Sequence, residues 1–242
     1  MNERIKILLK KELSTIVRNK RIILITMIVL LSVSVVVPTY VFREMVKNAP
    51  PNSQSRLIEF SINFYLLVYT IPISLFVAYS AFTDIFYREK ISKTITTLLS
   101  APVTLQEVLL AKALAIIAVA YPFLIISSII FSIISKVTFP MFSFSMIKIY
   151  TILHLVLVLP LFLFGTVLLL GTLTFISKSA RLINLVFFFI VMGLMFSVGR
   201  LQRFATQNMT SIAWYIAICA VIVTSLGIGI WKHAHPEEVI TA

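Results

Sequence analysis

The sequence predicts an all-α membrane protein: six transmembrane helices preceded by an N-terminal amphipathic interfacial helix, with both termini in the cytoplasm. Three observations predict it. Of 242 residues, 60% are apolar and 12% are charged, against about 45–50% and about 25% in soluble domains. So little charge could not cover the surface of a soluble fold of this size. Apolar runs able to cross about 30 Å of hydrocarbon, which takes about 20 helical residues, occur six times. The cations gather in alternate connections between those runs.

The elements follow in order. Residues 1–21 form the first. Ile5, Leu8, Leu9, Leu13, Ile16 and Val17 recur at helical spacing, with Lys6, Lys10, Lys11, Ser14 and Arg18 on the other side. Together with Glu12, Lys20 and Arg21, this is the pattern of a helix lying in the membrane interface. The transmembrane domain then covers residues 22–242, with spans near 22–40, 60–83, 113–134, 149–176, 182–198 and 211–231. The first span is expected to be retained, because its basic leader is long and no small-residue cleavage site follows Val37. Pro38 to Glu59 is expected to be a polar hairpin on the outer side. Pro72, Pro122 and Pro160 can kink their spans, and Gly165 and Gly171, with Thr166 and Thr172, permit close packing in the fourth.

The connection from Tyr87 to Lys112 is the most informative. Ile91, Ile95, Leu98 and Leu99 make an apolar stripe, so a short amphipathic helix over about 86–101 is expected to stop before Pro102. Thr104 and Glu107 form a T-x-x-E capping box, with Val103 and Val108 as its hydrophobic staple. A new helix should start near Leu105 and protrude into the cytoplasm before entering the third span.

Orientation follows from the cations. Fourteen Lys and Arg lie in the N-terminal segment, the second and fourth connections and the C-terminus; seven lie in the alternate connections. That bias places both termini in the cytoplasm of a multi-pass cell-membrane protein. The net charge of +12 sits between apolar runs and points to membrane lipid headgroups rather than nucleic acid. One Cys excludes a disulfide framework. No Asp, Glu, Lys or Arg falls inside the predicted spans, which argues against an ion-coupled carrier. An embedded enzyme would need paired carboxylates or a nucleophile with its base there. His154 reads as an interface or packing residue, Cys219 as a packing residue, and His233, His235, Glu237 and Glu238 as a solvated tail; no metal site is expected.

Arg88, Glu89, Lys90, Thr94, Leu98, Leu99, Ser100, Pro102, Val103, Glu107, Ala111 and Lys112 together resemble the signature of the type-2 ABC transporter permease family, the ABC-2 exporter superfamily. Lys93 and Ala111 stand where that pattern has Gly. The stretch from Lys11 to Ile25 also resembles the family's opening. The resemblance implies a permease subunit that moves a substrate outward, paired with a second permease copy as a homodimer or related heterodimer. A separate nucleotide-binding ATPase subunit would sit beneath each copy. ATP and Mg would be bound by that subunit, since this chain has no G-x-x-x-x-G-K-[ST] loop, and no cofactor or catalytic residue is expected here. The segment from Arg88 to Pro102 would be the coupling helix, with Arg88, Glu89, Lys90, Thr94, Leu98, Leu99, Pro102 and Glu107 as ATPase contacts. In relatives the second and fifth spans tend to line the pathway. Asn63, Tyr65, Tyr69 and Asn184 are the polar or amphipathic residues there, and an apolar, aromatic-rich lining would suit hydrophobic or lipid-like cargo. The alternative is a membrane scaffold or assembly protein that uses the same docking helix without transporting anything.

Overall fold

The computed structural model describes residues 3–92, 103–177, 179, 181, 183, 185–189, 192–193 and 209–234. Among these the chain is helical, with no strand. A first helix, α1 (Glu3–Arg18), breaks at Asn19. Five helices long and apolar enough to cross a membrane follow: α2 (Lys20–Lys47), α3 (Pro51–Ile91), α4 (Leu105–Thr138), α5 (Ile149–Ile176) and α6 (Met209–His233).

The helices are longer than the apolar runs at several ends. The expected hairpin from Pro38 to Glu59 is not a loop: α2 continues to Lys47, Pro51 starts α3, and three residues connect them. The physical reason is that Pro51 occupies the first turn of α3, where its missing N–H costs nothing. Pro38 is absorbed in a π-turn over Val37–Phe42. Pro72 and Pro160 each follow a π-turn, Tyr65–Tyr69 and His154–Val158. Proline lacks a donor and crowds the carbonyl four residues earlier, and a widened turn accommodates both defects. Pro122 lies inside α4 without such a turn. The predicted capping box is present in both directions. Thr104 N donates to Glu107 Oε2 at 3.0 Å, and Glu107 N donates to Thr104 Oγ1 at 3.2 Å. Most of the predicted fifth span lies outside the described residues; residues 185–189 are helical, and Phe187 is buried against Tyr79 and Phe82.

Helix α3 is the hub. Of its apolar stretch 78% is buried, against 28% for α2 and 17% for α6. Tyr65 stacks on Phe131 of α4 with ring centroids 3.7 Å apart. The Ser34 and Ser127 hydroxyls of α2 and α4 pair at 2.6 Å in the interior. Helices α5 and α6 cross closely: a Cβ on Gly165 would lie 2.5 Å from the Thr224 Cα, and one on Gly227 would lie 2.7 Å from the Gly165 carbonyl. Thr224 Oγ1 also donates to the Leu161 carbonyl across that crossing, at 2.9 Å. Gly171 instead makes room for the ring of Phe86, which a Cβ would meet at 2.5 Å. The outer faces are apolar and exposed, as at Ile28, Ile129, Val156, Tyr215 and Ile222. Cys219, expected to pack inside, is exposed on α6.

Two ends result. At one, Asn19, Asp84, Lys112, Phe175 and Trp231 come together, so α2 and α4 begin there and α3, α5 and α6 finish there. At the other, Phe64, Leu67 and Val68 of α3 pack with Tyr150 of α5 and with Met209 and Ile212, which start α6.

Candidate functional site

The first end is built around one lysine. Lys112 lies on the stripe Leu105, Val108, Leu109, Lys112 and Ile116 of α4, the face turned into the protein, and it is 0% exposed. An ammonium buried this way must be paired. Lys112 Nζ donates to Glu12 Oε1 of α1 at 3.0 Å and sits 2.8 Å from Glu89 Oε2 at the end of α3. Glu12 is 3% exposed, and Lys11 stands 4.0 Å from the same carboxylate. Two carboxylates from different helices therefore share one cation from a third.

The neighbouring residues extend this arrangement. Lys90 Nζ donates to the Phe175 carbonyl at 2.7 Å, placing a cation on the carbonyls that finish α5, where the helix dipole favours it. Phe86 packs against Phe175 with ring centroids 5.3 Å apart. Asn19 caps α2 by accepting from the Ile22 N–H, and its Nδ2 donates to Asp84 Oδ2 at 3.1 Å. Asp84 also pairs with Arg88 at 3.0 Å, one turn on. Trp231 Nε1 donates to the Gln106 carbonyl at 3.0 Å, tying the end of α6 to the start of α4. The last two turns of α3 are thus fastened to α1, α2, α4 and α5. Beside them, Thr83, Asp84, Tyr87, Arg88, Ile91 and Ser92 line a shallow depression of about 380 Å³.

The sequence-predicted residues fall as follows. Arg88, Glu89 and Lys90 belong to this junction, and Glu107 caps α4 beside it. Thr94, Leu98, Leu99 and Pro102 lie outside the described residues, as do Asn184 and His235. Lys10, Lys11, Arg18, Lys20 and Arg21 are exposed, whereas Glu12 is not. Leu8, Leu9, Leu13 and Ile16 pack into the same apolar core as α4. Lys112, counted among the headgroup-facing cations from sequence, is an interior residue instead, because two acids close over it. Asn63 and Tyr65 are each 1% exposed. Asn63 is fully engaged: Nδ2 donates to the Glu59 and Met146 carbonyls, and Oδ1 accepts from Lys148 N and Thr151 Oγ1. Tyr69 is partly buried at the edge of the core. His154 is 2% exposed, with Nε2 3.5 Å from Thr70 Oγ1, so it packs inside rather than at an interface.

What sequence reasoning missed is the pairing of Glu12, Lys112 and Glu89. The signal was present. Leu8, Glu12 and Ile16 share one helical face, and an acid on an apolar face needs a cation opposite.

Residues 6–226 match the model of a family described as ABC-2 family transporter protein. No curated protein and no solved structure matches the chain. Long apolar helices with outward apolar faces, and a family match over nearly the whole length, agree: the chain belongs to the ABC-2 transporter family and is a multi-pass membrane permease.

Proposed function

We propose that this permease is the membrane-spanning half of an ATP-driven exporter, working as one of two permease copies with a separate nucleotide-binding ATPase beneath each. The observation that carries the reading is the fastening of the α3 terminus. Helix α3 runs from the far end through the centre of the bundle and finishes at Glu89 and Lys90, whose charges are tied to α4 and α5. A push on the segment that follows would move a rigid helix rather than a loose loop. Arg88, Thr94, Leu98, Leu99 and Pro102, with the depression beside Asp84, are our choice for the ATPase contact. Glu89, Lys90 and Glu107 would hold that contact in place. ATP and Mg belong to the partner.

Six spans with both termini cytoplasmic fit this arrangement. Helix α5 ends at the Lys112 junction and α6 starts at the opposite end, which supports the reading. The cationic side of α1, with Lys10, Lys11, Arg18, Lys20 and Arg21, would rest on anionic headgroups. The cargo we favour is hydrophobic or lipid-like, passing beside Tyr69 and Asn184 between the two copies.

The test is affinity purification of the native protein in mild detergent, followed by mass spectrometry. A Walker-motif ATPase should accompany it at near-equal amounts, and its turnover should rise with cargo. Leu98→Arg should release the ATPase while leaving the permease monodisperse. A homo-oligomer without any nucleotide-binding partner would overturn the proposal in favour of a membrane scaffold.

A further inference from the structure

Between the outer parts of α4 and α5 lies a groove of about 570 Å³. Ile125, Ile129 and Ile133 of α4 form one wall, and Ile152, Leu155 and Val156 of α5 form the other; Phe144 and Ile147 close the end nearest the α4–α5 connection. Among the described residues its hydroxyls are those of Ser128 and Ser132, and Ser132 already donates to the Ser128 carbonyl. The groove opens outward. Ile129, Ile133, Ile152 and Val156 are 45–53% exposed on the surface of a membrane-spanning bundle. The medium there is hydrocarbon, and an apolar hollow in hydrocarbon is filled by whatever chain fits it.

Two further features identify the occupant. Along α4 the groove runs from Ile125 to Ile133, about 12 Å at 1.5 Å per residue. One leaflet offers about half of 30 Å. At the outer end, one turn beyond Ile133, stands the exposed Lys136, whose Nζ is oriented by the Pro140 and Phe142 carbonyls. These contacts fix the ammonium and leave its charge in place. A hollow one leaflet deep with a fixed cation at headgroup depth fits an anionic phospholipid.

We infer that the α4–α5 groove is a site for one anionic phospholipid of the leaflet opposite the Lys112 junction, an acyl chain lying between Ile129 and Ile152 and the phosphate meeting Lys136. The bound chain completes the contact between α4 and α5 over the half of the membrane where their side chains stand apart.

The test is native mass spectrometry of the delipidated full-length protein, titrated with dioleoyl phosphatidylglycerol and, separately, dioleoyl phosphatidylcholine. One phosphatidylglycerol should bind well ahead of all others. Ile152→Trp, which fills the groove from its exposed side, should weaken that first adduct at least about tenfold, or about 1.4 kcal/mol. Lys136→Gln should leave both lipids binding and erase the preference between them. Ile222→Trp, on the exposed face of α6, should change neither. Equal losses at Ile152 and Ile222, or an unchanged preference in Lys136→Gln, would overturn the site. So would Ile152→Trp altering the oligomeric mass with the lipid adduct intact, since the groove would then be an interface between copies.

Discussion

One ammonium gathers the helices at one end of this bundle, and one carboxamide gathers them at the other. Lys112 and Glu12 are buried and Glu89 is partly buried beside them, so two formal charges are held out of water and a third is partly shielded from it. Asn63 is equally buried but neutral, and it spends two donors and two acceptor positions on α3, the α4–α5 connection and the start of α5. The amide makes a joint whose cost of failure is bounded by a few hydrogen bonds. The charged joint is different. It contributes little net stability when intact, because desolvation offsets the attraction, and it becomes very costly when one partner is lost. Such a joint allows one arrangement of three helices and penalises the others, which is what the proposed ATPase contact at this end would require.

The largest effect should come from breaking the charged joint on one side. Lys112→Met would leave Glu12 and Glu89 facing each other without the buried cation between them, and Glu12 with only the distant, exposed Lys11. A loss of about 3–5 kcal/mol is expected, read as a fall in thermal midpoint in detergent and as poor recovery of monodisperse protein. The sharper version neutralises all three positions, Glu12→Gln, Glu89→Gln and Lys112→Met together. Stability should then return to near that of the parent, because no buried charge is stranded. If the joint serves coupling, cargo-stimulated ATP turnover in the assembled transporter should remain low although the protein is stable. Full turnover in the stable triple variant would reduce the joint to a structural accident.

The neutral end should break more gently. Asn63→Leu keeps the volume and strands the Lys148 N–H and the Met146 carbonyl, while the Thr151 hydroxyl can turn to a backbone carbonyl. A loss of about 1–3 kcal/mol is expected, with partner binding at the other end unchanged. Loss of the ATPase in Asn63→Leu would show that the two ends are not independent.

The two ends also differ in how far the sequence disclosed them. The Thr104 and Glu107 cap, the start of α4 and the apolar stretches of α2 to α6 follow from local patterns, and local patterns are what a sequence displays. The proline π-turns are less legible, because Pro72 and Pro122 look alike in sequence and only Pro72 is accompanied by one. The Lys112 joint needed a tertiary fact. Glu12 and Lys112 are 100 positions apart, and each reads locally as another charge beside a membrane. Counting cations by segment treated Lys112 as solvated, whereas its place on the stripe of Leu105, Leu109 and Ile116 marked it as interior. Asn63 misled in the opposite direction. A polar residue in an apolar span suggests a pathway, yet its four partners belong to the backbone and to Thr151, which the sequence could not pair with it.

The smallest effect concerns the ion pair at the neutral end, where Lys148 Nζ meets Glu59 at 2.6 Å on the surface. Its N–O distance is shorter than those of the Lys112 pairs, and its consequence should be far smaller. The Glu59 carboxylate holds the Lys148 ammonium above its ordinary pKa of 10.5. A raised lysine pKa means that whatever the pair contributes is fully present below 10.5 and is lost only as pH rises through the higher, folded value. Between pH 7 and 9 the thermal midpoint of Lys148→Gln should therefore track that of the parent, and the small gap between them should close only above pH 10.5. Added salt should shrink the gap further, since both groups are open to solvent and screened. A gap as large as that of Lys112→Met, or one that closes near neutral pH, would mean that surface charge governs this end as well and would erase the contrast between the two joints.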